Sequence, residues 1–177
     1  MGDRWAALFA DLAAELDAAE AAETDAEIRD RTRRELARVP LAGRLVAALG
    51  AEVTVTTRAG ATSGTLADAG PGWLLVGDTL VAEAAVTSIQ GLGPYADAPG
   101  AVRRALTIGY ALRALARRRV PVAITLTDGL SLDGTLDRVG ADHAELAVHP
   151  PGEPRRPDNV TGTRTIPFAA IATVRAR

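Results

Sequence analysis

Asp128, Asp133, Asp137 and Asp142 crowd one short stretch that runs directly into His143, with His149 a few residues further on. Carboxylates at such density can hold a cation or divide acid and base roles, and a neighbouring histidine can carry the proton. Asp128 and Asp133 each precede a glycine, however, which is an ordinary turn position for aspartate. The chain has 2 histidines and no cysteine, too few to complete a closed zinc shell. Neither a metal nor a cofactor is expected. Ser63, Ser88 and Ser131 lack the G-x-S-x-G elbow that exposes a nucleophilic serine, and none has an evident base. Gly91-Leu92-Gly93-Pro94-Tyr95-Ala96 fits the letter of the dinucleotide fingerprint. Its context does not fit, because Pro94 removes an amide and arginines stand about 20 positions on, where a ribose-binding acid belongs. That segment is read as a linker, and the expected protein is not an enzyme.

The remaining chemistry is that of arginine, which supplies all 20 basic residues. Arg113, Arg117, Arg118 and Arg119, with Arg155, Arg156 and Arg164, have the charge and fork geometry to clamp phosphates. Net charge is -2, and residues 41 to 177 carry only a small excess of arginine over acid, short of the field of a dedicated DNA-binding domain. With two each of Trp, Tyr and Phe, no broad stacking platform can be assembled.

The elements that must position these residues come in duplicate. Val53-Thr54-Val55-Thr56-Thr57-Arg58-Ala59-Gly60 with Gly64-Thr65-Leu66 returns as Val122-Ala123-Ile124-Thr125-Leu126-Thr127-Asp128-Gly129 with Gly134-Thr135-Leu136. Ala84-Ala85-Val86-Thr87-Ser88-Ile89 returns as Ala169-Ala170-Ile171-Ala172-Thr173-Val174. Alternating apolar residues around glycine turns predict short antiparallel strands, five per copy, which usually curl into a small barrel. Trp73-Leu74-Leu75-Val76 and Ala144-Glu145-Leu146-Ala147-Val148 are the third strands, and Leu80-Val81 and Thr165-Ile166 open the fourth. Leu41, Leu45, Val46 and Leu49 predict a short helix ahead of the first copy; Ala105, Ile108, Leu112 and Leu115 predict another, with Asp97 as its N-cap, ahead of the second. Between the third and fourth strands of the second copy, residues 149 to 164 form a long proline- and arginine-rich loop.

Upstream, residues 3 to 39 read as amphipathic helix, with Trp5, Phe9, Leu12 and Leu16 on one face and Ile28, Thr32, Leu36 and Val39 on a second stripe. Thr24-Asp25-Ala26-Glu27 fits a capping box that would divide it in two, and Pro40 ends it. This arm either docks on a partner or lies across its own barrel. No stretch is long and apolar enough for a membrane span, and the absence of cysteine agrees with a reducing compartment, so a cytoplasmic protein is expected.

A helix followed by five strands, with Thr127-Asp128-Gly129 and then Gly134-Thr135-Leu136, resembles the Sm-like family of small barrels over roughly residues 41 to 92 and 105 to 177. The resemblance implies a strongly bent five-stranded sheet under an N-terminal helix. It also implies ring assembly through the fourth strand of one module and the fifth of the next, and single-stranded RNA in the ring's pore. By the same resemblance Trp73 and His143 stand where a side chain stacks on a base; the other reading is that Trp73 packs in the barrel and His143 is a surface residue. Ile89-Gln90-Gly91 and Val174-Arg175-Ala176 stand where the family has a hydrophobic residue followed by Arg-Gly.

The expected architecture is thus α+β and mainly β: a helical arm at residues 1–40, a first Sm-like barrel at 41–93, a linker at 94–104 and a second barrel at 105–177. The expected function is non-catalytic binding and assembly, a homo-oligomer formed through edge strands or through the arm, which also offers a protein partner a surface. The second reading is an RNA-binding regulator that uses Trp73, Gln90, His143, Arg113, Arg117, Arg155 and Arg156.

Overall fold

The computed structural model describes residues 23, 24, 26–34 and 36–177. It divides the chain into residues 1–39 and a compact unit from Pro40 to Arg177. In the first, residues 23, 24 and 26–34 are helical, with a Thr32 Oγ1 to Ile28 carbonyl bond of 2.9 Å. Helix therefore already includes Thr24, where the division into two helices was expected. The predicted arm residues Trp5, Phe9, Leu12 and Leu16 lie outside the described residues.

The second unit begins with helix α1 (Leu41–Ala47), followed by β1 (Glu52–Thr57), β2 (Gly60–Gly70), β3 (Trp73–Val76), β4 (Thr79–Ala82) and β5 (Val86–Gln90). Helices α2 (Ala101–Ala105) and α3 (Ile108–Arg117) precede β6 (Pro121–Leu126), β7 (Ser131–Val139), β8 (His143–Val148), β9 (Gly162–Pro167) and β10 (Ile171–Ala176). The predicted second helix is thus interrupted after Ala105. Gly100 and Thr107 occupy the N-cap positions of α2 and α3, while the backbone amide of Asp97 donates to the Gly43 carbonyl at 3.0 Å.

All ten strands form one antiparallel sheet in the order β5-β1-β2-β3-β4-β10-β6-β7-β8-β9. This corrects the expectation of two separate Sm-like barrels. The finding that overturns it is the ladder between β4 and β10, with Val81 opposite Thr173, Leu80 opposite Val174 and Thr79 opposite Arg175, which makes the strands of both copies one continuous open sheet.

Within that sheet the two copies keep the same pairing register. Val55 faces Ile89 as Ile124 faces Val174, and the register slips after Leu66 on β2 as it does after Leu136 on β7. A bulge of this kind inserts a residue, sharpens the twist and bends the strand. Gly134 shows how tightly the strands approach there, since a Cβ at this position would run into the carbonyl oxygen of Ala147 on β8.

Two hydrophobic clusters fill the unit. Leu45, Val53, Val55, Leu66, Leu74, Val76 and Val81 form the first. The second gathers Leu112 from α3 with Val122, Ile124, Leu136, Leu146, Ile166 and Val174, and it also takes in Trp73 and Leu80. Alternate side chains of a strand point to opposite faces. So β3 and β4 serve both clusters: Leu74, Val76 and Val81 face the first, while Trp73, Leu80 and the partly buried Leu75 face the second. Every residue of β4 is buried.

Removing the side chain of Leu80, which is 6% exposed, is expected to destabilise the unit by about 2 to 5 kcal/mol through lost burial and a residual cavity. Because Leu80 packs with the second copy while lying on the first, urea unfolding of Leu80→Ala should remain one cooperative transition with a lower midpoint. A separate early phase confined to one half of the sheet would contradict the shared core.

Candidate functional site

The four aspartates that opened the sequence argument are not gathered into one site. Asp128 accepts from the Leu130 amide at 2.9 Å in its turn, Asp133 pairs with Arg177 at 3.0 Å, and Asp142 contacts His143 Nδ1 at 2.9 Å. Among the described residues no group of three or more metal-ligating side chains converges. The hydrogen bond to His143 holds the exposed Asp142 carboxyl below the usual carboxylate range. His149 is buried, with Thr135 Oγ1 at 2.9 Å from Nε2 and the Pro150 carbonyl at 3.1 Å from Nδ1. It fastens the start of the long loop to β7.

Trp73 and His143, expected to stack on bases, occupy equivalent places at the starts of β3 and β8 but different surroundings. The indole of Trp73 lies against Gly70, where a Cβ would come within 2.6 Å of Nε1, and Nε1–H donates to the Leu106 carbonyl at 2.6 Å. At 7% exposure, inside the second cluster, that ring is a core side chain with no free face for a base. The His143 ring lies over Gly140 in the same manner, yet its side chain keeps 41% of its surface. Gln90 is exposed at the end of β5, one margin of the sheet, so Trp73, His143 and Gln90 lie on three different strands and do not converge.

The predicted arginines fare differently. Asp137, the residue at which the β7 register slips, receives Arg155 in a two-pronged contact, Nε to Oδ1 at 2.6 Å and a second guanidinium nitrogen to Oδ2 at 2.7 Å. Arg119 reaches the same carboxylate at 3.0 Å. The pairing holds the Arg155 guanidinium above its ordinary value. Around this anchor, Arg113 and Arg117 from α3 and Arg138 from β7 line a groove of about 510 Å3 floored by Ala116 and Val139. Arg113 also donates to the Gly140 carbonyl at 3.2 Å, beneath the His143 ring. Arg156 is exposed just before a short 3-10 turn, Pro157–Asn159, and Arg164 is exposed on β9.

Helix α3 presents its arginines because its other side is committed to the core: Leu112 is fully buried, Gly109 lies against Phe168, and Ile108, Ala111 and Leu115 pack on the second cluster. The helix ends by hydrogen bonds from Arg119 N to Ala116 O at 3.1 Å and from Val120 N to Leu115 O at 3.3 Å. This pair of bonds requires a left-handed residue at position 119, a place usually taken by glycine. Here it is Arg119, with φ of 53°, and it is the one non-glycine residue with positive φ among the described residues. An L-residue pays about 1 to 2 kcal/mol for that conformation.

Sequence reasoning named Arg113, Arg117 and Arg155 but missed Arg138 and the anchoring role of Asp137. The available signal was the comparison of copies: Asp137 follows Gly134-Thr135-Leu136 where Ala67 follows Gly64-Thr65-Leu66. It also missed Arg103, which pairs with Asp68 and donates to the Ala69 carbonyl at 2.8 Å, tying α2 to β2.

The second candidate feature is the pair of sheet margins. Among the described residues β5 has β1 as its one strand neighbour and β9 has β8. Thr87, Ser88 and Gln90 on β5 are exposed, as are Thr163, Arg164 and Thr165 on β9. Among the described residues no helix is long and apolar enough to cross a membrane. The chain matches no family model and none of the curated proteins.

Two substitutions at the left-handed position isolate its backbone cost, since both delete the ion pair with Asp137. Arg119→Gly should be more stable than Arg119→Ala by about 1 kcal/mol, the reverse of the order at an ordinary helix position. Chemical denaturation of the two variants measures it, and an alanine variant equal to or above the glycine variant would refute the assignment.

Proposed function

We propose that this chain is a non-catalytic assembly module of the cytoplasm whose sheet margins, β5 and β9, take up strands from further copies of itself. One observation carries the reading: the β4–β10 ladder. In it the fourth strand of the first copy accepts the fifth strand of the second. The two strands left without an outer neighbour are the fifth of the first copy and the fourth of the second, the same two kinds of margin. A β9 margin meeting a β5 margin of another molecule repeats the internal junction. The contact is head-to-tail, so it builds a ring where the rotation closes and a filament where it does not.

The intermolecular joint is weaker than the internal one. In register, Trp73, Leu75 and Leu80 correspond to His143, Glu145 and Thr165, so main-chain hydrogen bonds remain while most of the apolar contact is absent. Fully burying one large apolar side chain contributes about 1.5 to 3 kcal/mol, and the loss of three separates a permanent junction from a reversible one. The predicted arm residues Trp5, Phe9, Leu12 and Leu16 offer an additional contact between copies. The absence of cysteine fits a reducing compartment.

Sedimentation at about 5 to 100 μM should show concentration-dependent association, the range of a micromolar dissociation constant. On β9, the neighbouring amides of Thr163 and Arg164 alternate between pairing with β8 and facing outward. Of Thr163→Pro and Arg164→Pro, the one whose outward amide is lost keeps its circular dichroism and should be monomeric throughout. A wild-type protein that stays monomeric at 100 μM removes this function.

A further inference from the structure

We infer that the cavity at the β1–β2 turn is a binding site for a small sugar phosphate. The cavity has a volume of about 290 Å3 and is lined by that turn together with β4, β10, β6 and the start of β7. In the sheet β2 and β10 are separated by β3 and β4, so the sheet curls to bring both to one cavity. The site belongs to neither copy alone.

Two rows of side chains in register cross these strands. Val81, Thr173, Thr125 and Ser131 stand opposite one another in turn across β4, β10, β6 and β7. Val81 belongs to the first hydrophobic cluster, and beyond it the row is made of hydroxyls. Threonine and valine have nearly the same shape, so a face that only had to close the cluster would continue in valine. In the next row Arg175 stands between Thr79 and Ala123, with the small alanine on its far side from the threonine. Thr79 is buried, Thr125 and Thr173 are half-buried and Ser131 is exposed, so the cavity reaches from buried hydroxyls to solvent.

The hydrogen-bonding capacity of this wall is largely unused. Among the described residues, no protein group pairs with the hydroxyls of Thr62, Thr125, Ser131 and Thr173. Arg175 uses only its Nε, 3.4 Å from Asp78 and 3.3 Å from Thr79 Oγ1. Arg177 holds Asp133 through Nε and one terminal nitrogen. Both terminal nitrogens of Arg175 and one of Arg177 therefore remain for a ligand. The Arg175–Asp78 contact is exposed on both sides, and such pairs are weak enough to give way to a better acceptor.

The composition of the wall selects the ligand. Guanidinium forks without a carboxylate in the lining suit a phosphate. Hydroxyls, which both donate and accept, suit the hydroxyls of a sugar. No aromatic ring lines the cavity, so nothing is placed to stack on a nucleobase. Its volume equals the share of about ten waters in the liquid, the scale of a phosphorylated sugar of about three to six carbons.

The test is isothermal titration calorimetry of the full chain with glucose phosphorylated at its terminal hydroxyl, inorganic phosphate and unmodified glucose. The phosphorylated sugar should bind with a dissociation constant below about 1 mM, with inorganic phosphate about tenfold weaker and glucose weaker still. Thr125→Val/Thr173→Val should weaken binding about tenfold through lost hydrogen bonds while its melting temperature is unchanged or higher, a split that misfolding cannot produce. Arg175→Gln should weaken it about as much, and Arg113→Gln, on α3, should bind as wild type. Absence of binding at about 10 mM would overturn the inference, as would full affinity in the double threonine variant or equal affinity for inorganic phosphate. So would tighter binding of uridine phosphate, which would put a base where no ring stands to receive it.

Discussion

The fold depends on one hairpin being apolar on both of its faces. β3 and β4 carry Leu74, Val76 and Val81 toward one cluster and Trp73, Leu75 and Leu80 toward the other. A five-stranded unit of roughly fifty residues has a marginal core by itself, because too small a share of its surface is buried on folding. Sharing a hairpin lets each copy complete the core of its neighbour. The β4–β10 ladder then satisfies main-chain groups that would otherwise form an open margin, so hydrophobic burial and hydrogen bonding favour the same junction. The buried indole N–H of Trp73 is satisfied by the Leu106 carbonyl, and that bond fixes the chain between α2 and α3 against the shared strands.

That junction also explains why the two copies are unequal. In the first copy the outward face of the third and fourth strands must meet the second copy, and it is apolar. In the second copy the equivalent face carries His143, Glu145 and Thr165 and is polar enough to remain in water. A sheet that ended on Trp73, Leu75 and Leu80 would present an apolar edge prone to uncontrolled pairing; one that ends on β9, with Arg164 exposed, presents a polar one.

Much of this was legible in the sequence. The strand positions followed from alternation and glycine spacing, and β3 begins and ends at the residues expected, Trp73 and Val76. The continuity of the sheet was not inferred, although its signal was present. Trp73-Leu74-Leu75-Val76 is an unbroken apolar run, as suits a strand buried on both faces, whereas Glu145 interrupts the equivalent run of β8. Two matching modules invited the reading of two barrels that meet at their edge strands, not of one open sheet, and the mismatch inside the match carried the information. For Trp73 two readings stood open, a ring packed in the barrel and a base-stacking residue, and the second cluster that covers it decides for the first.

The arginine groove was legible only in part, because its organising residue is a property of the bulge. Both copies slip register at the same place, and in the first the residue concerned is the exposed Ala67, while in the second it is Asp137. A bulge turns that side chain out of the alternating pattern, so its carboxylate reaches α3 on one side and the long loop on the other. Exposed ion pairs taken singly contribute little, about 0 to 1 kcal/mol. The two-pronged Arg155 contact is worth more for its geometry than for its energy, because it fixes an otherwise extended loop midway along its length. His149 secures the loop at its start, and the Thr161 amide, bonded to the Val148 carbonyl at 2.9 Å, secures its end. A loop of this length held at three points is ordered without a core of its own. The same single carboxylate that holds it also sets Arg119 beside Arg113 and Arg117, so the order of the loop and the charge of the groove have one origin.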